Sequence, residues 1–128
     1  MIQFDTNFLI AATVSGSPAH QQVLRWAGSG ASFGISTVAW AEYLCGPLDP
    51  TDEMLARQLF AQPEPFHAAD AELAAHLFNQ TGRRSRSLAD CMIAAVAIRT
   101  GADVATVNVA DFTLFLPFGL KLANSTFS

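Results

Sequence analysis

The chain has 128 residues, enough for one domain with a single substantial core. Apolar residues make up 51% and charged residues only 14%, which argues against a disordered chain. The formal net charge of −4 excludes a general basic coat for nucleic acid, so any contact with RNA or DNA has to be local or carried by a cation.

In chain order, MIQF reads as a short apolar first strand, and a helix is predicted from Asp5 to Val14, ended by SGSP. A second helix is predicted from Ala19 to Ala27. ASFGI, residues 31–35, is a short apolar run between turn signals, as a buried strand is. Ser36 and Thr37 offer an N-cap for a helix through VAWAEYLC, which Gly46-Pro47 stops. A helix over 51–62 has Thr51 as its cap and two acids in its first turn. PEPFHA holds a brief strand near Phe66, and a helix starts at Asp70. After the basic loop GRRSRS, Ser87 caps a long helix that ends at Gly101. A strand over 103–107, a loop NVADF and a final extended piece PFGLKLAN complete the chain.

Strands alternating with helices, without a hairpin signal, predict one α/β domain over 1–128: a parallel sheet with helices on both faces. No apolar run approaches the ~18 residues of a membrane span, and no basic segment precedes an apolar one at the N-terminus. The expected location is the cytoplasm. Cys45 and Cys91 form no CxxC and lie in apolar stretches, so both are expected to be buried free thiols of a reducing compartment. His20, His67 and His76 do not fall at ligand spacing and are expected at the surface or half-buried.

Open parallel sheets bind ligands beyond the carboxyl ends of their strands, which singles out four acid-bearing positions. Asp5 ends the first strand, where it also suits an N-cap. Glu42 is the only charge in the helix after the second strand. Asp90 stands in SLAD, which resembles a capping box with Asp in place of Glu, yet the apolar CMIAAVAI behind it draws that helix inward. Asn108 and Asp111 follow the last strong strand. The other acids, Asp70 among them, crowd the middle of the chain at exposed-looking helix starts and loops. Carboxylates gathered at one sheet edge repel one another unless a cation joins them. Oxygen donors without a Cys/His cluster suit Mg²⁺ or Mn²⁺ rather than zinc.

Four ordered elements then resemble PIN-domain proteins, particularly bacterial VapC-type toxins. They are DTN behind a hydrophobic strand, S-T-x-x-x-x-E, L-A-D-x-x-I-A-A and T-x-N-x-x-D-F, spread from Ile2 to Phe112. The resemblance implies a PIN-like three-layer α/β/α sandwich with roughly five parallel strands. It implies a metal-dependent endoribonuclease neutralised by a cognate VapB-type antitoxin, and a chain that forms a homodimer. Asp5, Glu42 and Asp90 match the family's acidic positions, with Thr6 as the polar neighbour of the first. Asn108 replaces the Asp of other members, and Asp111 follows three residues later.

On this reading Asp5 and Asp90 chiefly hold Mg²⁺ or Mn²⁺, and Glu42 ligates or orients the attacking water. Arg83, Arg84 and Arg86 clamp RNA phosphates in an otherwise acidic chain. A response-regulator receiver is disfavoured because DTN supplies a single acid and the sole lysine, Lys121, comes late. An Asp-x-Asp phosphohydrolase fails because Asn7 replaces the second Asp. The remaining alternative is a PIN-like module that binds RNA or protein without cutting.

Overall fold

The structure is a computed structural model and describes residues 1–123. The strands β1 (Ile2–Phe4), β2 (Phe33–Ile35), β3 (Asp103–Ala105) and β4 (Lys121–Leu122) form one parallel sheet in the order β2-β1-β3-β4. Ile2 pairs with Phe33 on one side and Asp103 on the other, so β1 is central. Successive residues of a strand point to opposite faces. Gln3 is 1% and Phe4 0% exposed, so both faces of the sheet are covered.

The helices α1 (Thr6–Ala12), α2 (Pro18–Gly28), α3 (Thr37–Leu44), α4 (Pro50–Leu59), α5 (Ala68–Gln80), α6 (Leu88–Thr100) and α7 (Val109–Thr113) supply the covering layers. α1 packs against α2 and α3, α3 against α6, and α5 along α6. On one face the Phe4 ring meets Phe8 of α1 and Phe60 edge-on, with centroids 4.8 and 5.4 Å away. On the other, the Gln3 amide donates to the Thr100 hydroxyl of α6 at 3.2 Å. Ile93 and Ala94–Ala97 of α6 are all buried, as in a helix enclosed on every side. Gly101, at φ 71°, ends that helix in the left-handed conformation glycine adopts without steric cost.

The fold class and most elements follow the sequence pattern, with several local corrections. The pairing expected near Phe66 occurs at Glu64, which makes a single parallel bridge with Ser36. The Glu64 amide donates to Ile35 at 2.7 Å, and its carbonyl accepts from Thr37 at 2.9 Å. Pro63 and Pro65 flank it, and neither has an N–H for a ladder, so this fifth strand is cut to one residue. NVADF is not all loop: residues 109–113 form α7, held by the buried Phe112 rather than by intrinsic propensity. PFGLKLAN is extended only at 121–122, after a 3₁₀ turn over Leu116–Phe118, and its Asn124 lies outside the described residues.

Asp49, not Thr51, caps α4 by accepting from the Thr51 and Asp52 amides, and that helix stops at Leu59. Cys91 is buried as expected, but Cys45 lies just past the end of α3 and is exposed.

Asp70 also departs from expectation. It is 1% exposed, inside the first turn of α5 rather than at a solvated helix start. The Arg99 Nε donates to its Oδ1 at 2.7 Å, and the His67 amide to its Oδ2 at 2.8 Å. Arg99 also reaches Glu64 at 3.1 Å and the Pro65 carbonyl at 3.0 Å, tying α5, α6 and the bridging segment together. Burial alone would raise the Asp70 carboxyl. The Arg99 hydrogen bond, the His67 amide and the Arg99 charge outweigh it and hold that carboxyl below its ordinary value. The two partners are not equivalent, because Arg99 is 27% exposed. Arg99→Leu strands a buried carboxylate and is expected to cost about 3 kcal/mol or more. Asp70→Asn leaves a partly solvated guanidinium and costs about 1–2 kcal/mol. Urea midpoints of the two variants read this order, and equal losses would contradict it.

Candidate active site

The chain leaves β1 for β2 on one side and later returns to β3 on the other, so the connections diverge at β1. The crevice at the carboxyl end of such a strand is where open parallel sheets place their ligands. Asp5 is the first residue beyond that end. Its amide donates to the Ala105 carbonyl at 3.1 Å, its carbonyl accepts from Leu9 at 3.1 Å, and its Oδ1 accepts from the Phe8 amide at 2.7 Å. It therefore caps α1, as the sequence allows, and the same bonds fix its carboxylate at the crevice.

That carboxylate is 3% exposed. Burial pushes its pKa up from 3.8 to about 6, against the Thr106 hydroxyl and the Phe8 amide, and the Glu42 charge adds to the rise. Thr106, buried just past β3, also accepts the Asn108 amide at 2.9 Å. The sequence reading did not assign it a role, although it is the first letter of T-x-N-x-x-D-F.

Glu42 is exposed on α3, and the Thr6 hydroxyl donates to its Oε1 at 2.6 Å. Thr6 thus orients the second acid from a position beside the first. Asp90 lies on the first turn of α6. The capping-box arrangement is absent: the Ser87 hydroxyl donates to the Arg84 carbonyl at 2.8 Å instead of accepting from the helix. Burial raises the Asp90 carboxyl to about 6, followed by the charges of Asp5, Asp111 and Glu42, while Arg84 opposes them.

Asp111 receives a hydrogen bond from the Arg84 Nη2 at 3.0 Å. Asn108 precedes α7 and is exposed, with no capping bond from its side chain. In the basic loop, Arg83 donates to Asn79 at 3.1 Å, and Arg86 is exposed.

Asp5, Glu42, Asp90 and Asp111 therefore share one electrostatic neighbourhood. Among the described residues, however, no three His, Cys, Asp or Glu side chains are gathered closely enough to enclose a metal ion. The donor chemistry still fits a hard divalent cation. It consists of carboxylate oxygens, two of them, on Asp5 and Asp90, driven toward protonation by burial and by the charges of neighbouring acids.

The sequence model of the PIN domain family matches residues 2–112. The chain belongs to the PIN domain family. No curated protein sequence matches it significantly. Among solved structures it is similar to a chain of VapBC2 from Rickettsia felis bound to a promoter DNA fragment, at 19% identity and a TM-score of 0.74, covering 97% of this chain and 98% of that one. FitAcB from Neisseria gonorrhoeae aligns at 23% identity and a TM-score of 0.73, covering 97% of each chain. A toxin–antitoxin complex from Klebsiella pneumoniae aligns at 24% and 0.69, covering 88% and 90%. At these identities the likeness shows a shared fold.

The raised carboxyls of this PIN domain set the sign of a pH dependence. Between 3.8 and about 6, Asp5 and Asp90 bind more protons folded than unfolded, so their contribution to stability falls as pH rises through that window. In chelator, Asp5→Asn and Asp90→Asn are each expected to flatten this fall. Denaturation midpoints measured from pH 4 to pH 7 check it, and an unaltered pH profile in both variants would contradict the assigned burial.

Proposed function

We propose that this PIN domain is a metal-dependent endoribonuclease and the toxin of a VapBC-type toxin–antitoxin pair. The observation that supports the reading is the electrostatic coupling of three acids at the crevice beyond β1: the Glu42 charge raises Asp5, and the Asp5 and Glu42 charges raise Asp90. A buried carboxyl and a half-buried one, both raised chiefly by desolvation with neighbouring acids adding to the rise, are unfavourable as charges alone and favourable around a divalent cation.

In this reading Asp5 and Asp90 hold Mg²⁺ or Mn²⁺. Such an ion supplies polarisation of a phosphodiester and a lowered pKa for an attacking water. Glu42, steered by the Thr6 hydroxyl, orients that water and accepts its proton. Thr106 braces the Asp5 carboxylate, and Asn108 borders the same crevice with a neutral amide where an acid would add charge. Arg83, Arg84 and Arg86 give the acidic chain its local attraction for RNA phosphates.

Partner binding is supported by exposed apolar side chains on α1, α2 and α4. Ile10, Val14 and Leu48 line one cavity, Leu24, Leu55 and Leu59 another, and Thr13 lies in both. The Tyr43 hydroxyl is buried beside the first cavity with no hydrogen-bond partner among the described residues. This groove suits an apolar segment of an antitoxin that also offers a polar group to Tyr43, consistent with the toxin–antitoxin complex from Klebsiella pneumoniae among the structural relatives. A homodimer and a cytoplasmic location belong to the same proposal. No helix among the described residues is long and apolar enough to cross a membrane.

The second reading, a module that binds RNA without cutting, is favoured by Asn108 and by the open spacing of the acids. Incubation of the antitoxin-free protein with total RNA, with and without Mg²⁺ or Mn²⁺, separates the two. Metal-dependent cuts with defined ends are expected, and their absence favours the binding module. Asp5→Asn and Asp90→Asn should each reduce cleavage at least 100-fold, a loss on the scale of catalytic groups, with circular dichroism still showing a folded chain. Full activity in either pure variant would refute the assignment.

A further inference from the structure

Arg83 and Arg86 have φ of 52° and 66°, and they are the non-glycine residues with positive φ among those described. Neither has the short polar side chain that makes this conformation tolerable, so each is strained. Between them stands Arg84, whose backbone is held from both sides. The Arg83 amide donates to the Phe78 carbonyl at 3.0 Å. Ser87, 5% exposed, gives its amide at 3.2 Å and its hydroxyl at 2.8 Å to the Arg84 carbonyl. A buried serine next to a helix start is thus used to hold the loop rather than to cap α6.

The side chain so placed has a weak partner. The Arg84–Asp111 pair is 41% and 46% exposed, and pairs so open to solvent contribute little. That is too little to repay the backbone conformation that flanks it. Arg99, by contrast, is committed within the fold, to the buried Asp70 and to Glu64. A phosphate offers a guanidinium two acceptors at once and binds it more strongly than one carboxylate oxygen does.

We propose that Arg84 exchanges Asp111 for a phosphate of bound single-stranded RNA. Asp111 is then a positioning residue that stations Arg84 at the crevice in the free protein, and RNA binding releases its carboxylate beside Asp90. The inference rests on the RNA reading above and assigns separate roles to two residues within it.

The test is a binding cycle in chelator, using the full chain and a fluorescent single-stranded RNA, with anisotropy read over a range of salt. Arg84→Gln should weaken binding several-fold and reduce the slope of log K against log salt by ~0.7, the value for one phosphate contact on a single strand. Asp111→Asn should tighten binding by about 2–5-fold, the scale of a released surface pair, and this gain should shrink when Arg84→Gln is already present. Simple repulsion of RNA by Asp111 predicts instead an equal or larger gain without Arg84. That result, or an unchanged salt slope in Arg84→Gln, overturns the exchange while leaving the RNA reading intact. No RNA binding by any variant, with or without Mg²⁺, overturns both.

Discussion

Asp5 cannot move without undoing the start of the fold. Its amide joins β1 to the end of β3, its carbonyl begins the hydrogen-bond ladder of α1, and its carboxylate caps that helix. The bonds that hold it leave it almost wholly removed from water, and its charged form suffers for that. Around this fixed carboxylate the rest of the crevice takes its meaning. Thr106 supplies a compensating hydroxyl, Thr6 turns Glu42 toward the same place, and α6 delivers Asp90 from an apolar helix that has nowhere else to lie. The site is a local excess of negative charge held together by backbone geometry.

The opposite chemistry holds the helical layer on the side of α5. Asp70 is as buried as Asp5, but Arg99 and the His67 amide satisfy it, so its ionised form is favoured where that of Asp5 is not. Two acids of one type and similar burial thus diverge because one has a cation built into the chain. The contrast separates a carboxylate with a cation built into the fold from one without such a partner among the described residues.

Much of the sheet and site was legible in the sequence because the signals were local. Short apolar runs bounded by turn residues gave β1 and β2, and acids just past strand ends gave Asp5 and the vicinity of Asn108 and Asp111. Asp70 was misjudged because its burial depends on Arg99, 29 positions away. α7 was missed because Phe112 folds that turn by packing, and five residues carry too little periodicity to announce a helix. The role of Ser87 was misread because its capping pattern is the same whether its hydroxyl faces the helix or the loop. Thr106 stood in a motif already in view, but a hydroxyl two residues before Asn108 has no distinctive spacing until the end of β3 is brought against Asp5.

The proline-bracketed bridge at Glu64 also protects an edge of the sheet. A parallel sheet with a bare outer strand is a template for further strands, and small proteins with such edges are prone to uncontrolled growth into fibres. Beside β2 the template is used up by one residue whose neighbours cannot donate to an incoming backbone. Strand-to-strand addition is therefore blocked on that side.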